Sequence, residues 1–150
     1  MQKKLSQESI TIIKQTASLV TENAIDITTN MYQLLFTKYP HMKKLFSNAP
    51  DNQNVILAEA ISSYAVNIDN LKIFTPALEV IAYSHVKENI QAIHYPILGI
   101  IFIQALEKSL GSLATLEFVD AWREAYKYLA EILINMEKDI YKEIDKRKII

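Results

Sequence analysis

The chain has 150 residues, half of them hydrophobic, with 16 basic and 17 acidic side chains and a net charge of −1. That is one domain, able to bury roughly 70% of the surface its unfolded chain exposes, and its interspersed charges disfavour nucleic acid as a partner. The absence of cysteine excludes disulfides, zinc–thiolate sites, iron–sulfur clusters and thiolate nucleophiles.

Two glycines, four prolines and no Asn-Gly or Asp-Gly pair predict an all-α chain of six or seven helices. The first helix is expected over residues 6–20, capped by Ser6, with Glu8 in its first turn and Ile10, Ile13, Ala17 and Val20 on one face. The polar run Met1 to Glu8 does not resemble a signal peptide, so a soluble, cytoplasmic protein is expected. A second helix, 22–38, carries Ile25, Met31, Leu34, Leu35 and Phe36, with Tyr32 sharing the face of Ile25, Leu35 and Phe36. Pro40 ends or bends it, and a short turn delivers Phe46 into the polar loop 47–52.

Helix three, 52–68, turns Leu57, Ile61, Tyr64, Ala65 and Ile68 inward, with Gln53 one turn upstream of Leu57. Thr75-Pro76 opens the next helix, the threonine as a cap and the proline at the first helical position. Leu78, Ile81, Ala82 and His85 share one face of it, so an imidazole points into apolar surroundings. Such a histidine is hydrogen-bonded, uncharged or bound to something. From spacing alone it is either a core histidine bonded to a backbone carbonyl or a ligand to a metal or haem.

A break is expected near Ala92, before the start signal His94-Tyr95-Pro96 and an apolar helix ended by Gly111. The stretch 93–106, about 14 residues, falls short of the roughly 20 that a membrane span needs, so no membrane insertion is expected. Thr115 opens the last helix, with Phe118, Trp122, Ala125, Tyr126, Leu129, Leu133, Met136 and Ile140 as its stripe and Glu137 on or beside it. Residues 142–150 are expected to be a charged tail fraying into solvent. Taken singly, Tyr32, Gln53, Tyr95 and Glu137 are ordinary half-buried polar groups. His41 and His94 show no metal-ligand spacing with His85.

Taken in order, these residues resemble the bacterial globins of the flavohaemoglobin-like and single-domain branch. The resemblance spans residues 6–141. It rests on Met31-Tyr32 to Phe36, Tyr39-Pro40 to Leu45-Phe46, Ala60-Ile61 to Leu71, Tyr95-Pro96-Ile97-Leu98-Gly99 and Ala121-Trp122 to Tyr126, around His85.

It implies a globin fold packed around one haem b, with residues 1–150 as a single domain. It also implies His85 as the proximal iron ligand, Tyr95 and Glu137 as the pair hydrogen-bonding toward that imidazole, and Phe46 packed on the porphyrin. Tyr32 matches the distal tyrosine, and Gln53 and Leu57 match distal helix positions. The loop after Phe46 is shorter than in flavohaemoglobins, so the place of Gln53 depends on the downstream Tyr64 block, with Asn52 and Asn54 as alternatives.

Flavohaemoglobins continue into flavin- and nicotinamide-binding reductase domains, whereas this chain stops at Ile150. The resemblance therefore implies a nitric-oxide dioxygenase that converts O2 and NO to nitrate with a separate reductase. The alternative is an O2 storage or delivery protein without turnover. A monomer or a homodimer fits either.

Overall fold

The computed structural model describes residues 4–149. Residues 1–3 and 150, the ends of the expected domain, lie outside the described residues. Among the described residues there are six α-helices, three short 3₁₀ segments and no strand.

α1 (Gln7–Gln15) starts where the Ser6 hydroxyl accepts the Ser9 N–H at 3.2 Å, with Glu8 complementing the first turn. The expected 6–20 helix is in fact two. Thr16 leaves helical geometry at φ −106° and ψ 11°, while its hydroxyl bonds the Ile12 carbonyl at 2.6 Å. This local side-chain bond competes with the helix ladder and lets the chain change direction. α1 then packs on α6 (Leu116–Ile149), and α2 (Ala17–Lys38) packs on α3 (Gln53–Val66) and α5 (His94–Leu110).

The inward residues of α2 include Val20, Ile27, Met31 and Leu35; Ile25 is 53% exposed and does not belong to that face. A 3₁₀ segment, Pro40–Phe46, follows and brings Phe46 back over α2. A second, Leu71–Phe74, runs directly into α4 (Thr75–Lys87). Thr75 therefore does not cap. Its backbone is already helical at φ −54° and ψ −47°, whereas a capping residue needs extended geometry to reach the amides ahead.

α4 packs on α6, burying Leu78 and Ala82 and leaving Val80 and Tyr83 outside. It ends at Lys87, and the break before α5, residues 88–93, contains Ala92 as expected. Asn89 in the left-handed region at φ +62° supplies the stop.

With the turn after it, α5 makes a 20-residue stretch, His94–Leu113, that is long and apolar enough by length and composition to cross a membrane, longer than the apolar run marked in the sequence. Here Ile101, Phe102, Ala105 and Leu106 are buried, and the helix packs on α2 and α6. Gly111 at φ +55° ends α5 as expected. Gly99 serves α5–α6 contact: a Cβ there would lie 2.7 Å from the Tyr126 ring.

α6 is 34 residues long and, contrary to the expected fraying tail, stays helical to Ile149. Its Lys/Glu/Arg-rich end favours helix, and Ile140 and Tyr141 still touch the body of the protein.

Candidate functional site

α4 delivers His85 at the end of its buried stripe, α5 delivers Tyr95 in its first turn, and α6 delivers Glu137 beyond Leu133. These three meet. His85 Nδ1 is 3.0 Å from the Tyr95 hydroxyl and 3.0 Å from Glu137 Oε2. Tyr95 donates to the same carboxylate at 2.7 and 2.9 Å. Proton counting then fixes the tautomer. Tyr95 has one proton and spends it on Glu137, so a bond at His85 Nδ1 must be donated by the imidazole. Nε2 keeps its lone pair and is the ring nitrogen left for a ligand.

Glu137 is only 3% exposed, which is tolerable because its oxygens take both donors. Burial foremost, and then the Glu137 carboxylate, push the Tyr95 hydroxyl far above its ordinary pKa, so it stays a donor. Tyr126 steadies this corner by donating to the Tyr95 carbonyl at 2.7 Å, with its ring against Gly99 and stacked on Phe102.

His85 faces a cavity of about 200 Å³ whose walls are overwhelmingly apolar. Tyr32, Phe46, Gln53, Leu57 and Tyr95 line the same cavity, while Glu137 stands behind the imidazole. Tyr32 packs edge-on to Phe46 at 5.3 Å, and Phe36 completes an aromatic trio. Burial raises the Tyr32 pKa, and the neighbouring Gln53 amide partly offsets that rise, so the hydroxyl keeps its proton at neutral pH.

The first turn of α3 is clamped to α2 from both sides. The Thr28 hydroxyl donates to the Asn54 carbonyl at 2.8 Å, and the Asn54 amide donates to the Thr29 hydroxyl at 3.1 Å. That clamp turns Asn54 toward α2 and Gln53 toward the cavity, while Asn52 is exposed before the helix begins. A second recess, of about 350 Å³, opens outward from Tyr32, Phe46 and Gln53, which wall both spaces.

These residues suit a flat, mostly apolar prosthetic group bound at one imidazole. The slot is walled from both sides, its imidazole is backed by a carboxylate, and no cluster of three or more metal-binding side chains occurs among the described residues. The one buried side-chain polar atom without a partner among them is Nε1 of Trp122, a residue that also lines this cavity. His41 is exposed, and His94 accepts the Gln91 N–H on its Nδ1 at 2.9 Å, so neither joins the site.

The fold and the site together define a haem-pocket protein of the all-helical kind. The family profile described as globin matches residues 29–133, and the chain belongs to the globin family, whose flavohaemoprotein relatives bind haem. It is 43% identical over 139 residues to an uncharacterised globin-like protein of Aquifex aeolicus, covering 93% of this chain and 99% of that one. It is 40% identical over 142 residues to a flavohaemoprotein of Rhodopirellula baltica, covering 93% of this chain but only 35% of the relative. The chain thus spans about a third of the length of the flavohaemoproteins it matches.

Among solved structures, an engineered carbene transferase from Rhodothermus marinus, described as a candidate nitric oxide dioxygenase, superposes with a TM-score of 0.91 at 31% identity. That match covers 95% of this chain and 99% of the other. A bacterial globin from Campylobacter jejuni gives a TM-score of 0.83 at 31% identity, covering 91% and 99%.

In the sequence Trp122 and Tyr126 stand out only as members of the last helix's buried stripe, and Ile90 and Tyr141 carry no expected role. For Tyr126 a signal existed, since glycine inside an apolar helix marks close approach by a bulky neighbour.

Proposed function

We propose that the chain is a haem-b haemoglobin that binds O2 and converts nitric oxide to nitrate, taking electrons from a separate reductase. Haem, when bound, supplies the iron at which the two gases react. With no cysteine in the chain, thioether attachment has no partner, which supports the non-covalent b type. His85 would hold the iron through Nε2, Tyr32 and Gln53 would face the diatomic ligand, and Phe46 and Leu57 would pack on the ring.

The observation that carries the enzymatic reading is the Glu137 carboxylate, 3% exposed and 3.0 Å from His85 Nδ1. A buried anion accepting that proton gives the imidazole imidazolate character and makes it a stronger electron donor. Strong donation favours chemistry on O2 over its reversible storage. On the other side, the protonated Tyr32 hydroxyl can donate to a ligand that gains negative charge, and Gln53 beside it narrows where that ligand can lie. Apolar walls exclude water, which strengthens each of these interactions.

The overall reaction joins NO and O2 and consumes one electron per nitrate, so turnover requires a reductant. A flavin protein oxidising a nicotinamide is the class of electron donor that fits, because a flavin takes up a hydride and can release its electrons singly. Stopped-flow mixing of the O2-loaded protein with NO tests this. Nitrate in equal amount to NO, with repeated turnover once a flavin reductase and NADH are added, is expected. Oxidation that stops after one equivalent, with no re-reduction by that partner, would refute the enzymatic reading in favour of O2 storage.

A further inference from the structure

The imidazole of His85 is held at Nδ1, but its backbone needs holding too. α4 packs on α6 and on the short segment Leu71–Phe74, and Val80 and Tyr83 on its outer face are 71% and 64% exposed. What fixes its end is a Schellman motif. The Asn89 N–H donates to the Val86 carbonyl at 3.0 Å, and the Ile90 N–H donates to the carbonyl of His85 itself at 2.9 Å. Asn89 makes the turn at φ +62°, the only positive φ outside glycine among the described residues.

Ile90, 6% exposed, lines the same cavity as His85. Its own carbonyl accepts the Tyr141 hydroxyl at 2.6 Å, across 51 residues of sequence. Tyr141 lies four residues after Glu137 on α6, hence on the same face one turn further along.

We infer that Tyr141 is a positioning residue for His85, fixing the backbone of α4 through Ile90 while Glu137 fixes the side chain. The inference rests on His85 being the haem ligand. Two neighbours on one helical face thus grip the same histidine at two points. Glu137 governs its charge, and Tyr141 governs where its ring stands in the cavity. This also gives a role to the helical continuation of α6 past Glu137. If the helix frayed there, the Ile90 carbonyl would lose its donor and the turn that ends α4 would lose its backbone tie to α6.

Tyr141→Phe, which removes only the hydroxyl, separates this from a merely local staple. In the haem-loaded protein, hydrogen exchange at the Ile90 amide is expected to speed up about fivefold, the worth of one ordinary hydrogen bond. The iron–histidine stretching band of the ferrous protein should shift or broaden, while the reduction potential stays where it is. Glu137→Gln should do the reverse, moving the potential and leaving Ile90 exchange alone. Unchanged Ile90 exchange in Tyr141→Phe overturns the inference. Faster exchange with an unaltered iron–histidine band overturns it as well, because Tyr141 then secures the turn without placing the ring. A His85→Gly protein with an unaltered haem spectrum would overturn the ligand assignment itself, a failure distinguishable from the other two.

Discussion

Replacing Glu137 by glutamine tests the carboxylate's hold on His85, because it removes one charge and almost no volume. The carboxylate accepts from His85 Nδ1 at 3.0 Å with its side chain 4% exposed, so solvent screens it little. A hydrogen bond to a charged acceptor is worth about 1.5–3 kcal/mol and a neutral one about 0.5–1.5, a difference of about 1–2 kcal/mol. Electron donation through the imidazole stabilises the ferric state, so losing it should raise the Fe(III)/Fe(II) potential. With a tenfold change in equilibrium equal to 59 mV for one electron, the shift is about 40–85 mV.

Spectroelectrochemical titration of the haem-loaded protein reads it directly, and the iron–histidine stretch should fall in frequency alongside. Tyr95→Phe is the companion variant. It leaves the carboxylate in place and removes the competing proton, so the potential should move less, and downward. A Glu137→Gln potential equal to that of the parent, with an unchanged stretching frequency, would refute the claim that the carboxylate drives donation.

Tyr32→Phe should speed O2 dissociation by at least about tenfold, the loss of one hydrogen bond to a charged acceptor; flash photolysis or stopped-flow with a competing ligand measures it, and an unchanged rate would displace Tyr32 from the site. Gly99→Ala forces a Cβ to within 2.7 Å of the packed Tyr126 ring; a loss of about 1–3 kcal/mol is expected in thermal unfolding. Asn89→Ala should cost about 1 kcal/mol through its left-handed backbone, whereas Asn89→Gly should be neutral or stabilising.

His94 should titrate below the ordinary 6.5, because burial foremost and then the nearby His41 disfavour its charged form. With a folded pKa below the unfolded one, its contribution is present above 6.5 and lost as pH falls through the folded value. An NMR titration giving a His94 pKa at or above 6.5 would contradict this.

Much of the protein is legible from residue order, because helical periodicity and punctuation act over a few residues at a time. The face Leu78, Ile81, Ala82 and His85 is visible without coordinates, as are the starts at Ser6 and Thr115 and the stop at Gly111. Where the expectations failed, a tertiary or neighbouring interaction overrode the local preference. Thr16 breaks a continuous apolar stripe because α1 and α2 face different partners. Thr75 loses its capping role because a 3₁₀ turn feeds the helix directly.

The site itself divides the same way. Residue types and their order mark His85 as an imidazole on a buried face, and the wider resemblance adds Tyr32, Gln53, Tyr95 and Glu137 as companions. What spacing could not decide is which atom meets which, since Tyr95 and Glu137 are 10 and 52 residues from His85 and come together only when α5 and α6 pack behind α4. The orientation of Gln53 likewise depends on Thr28 and Thr29 of another helix. Tyr141 is the clearest case. It stands just before the expected tail, outside the apolar stripe of its helix, and only the packing of α6 carries its hydroxyl to the Ile90 carbonyl. Periodicity is a property of one helix, whereas a hydrogen bond between helices depends on where both are placed, and that placement belongs to the packed core.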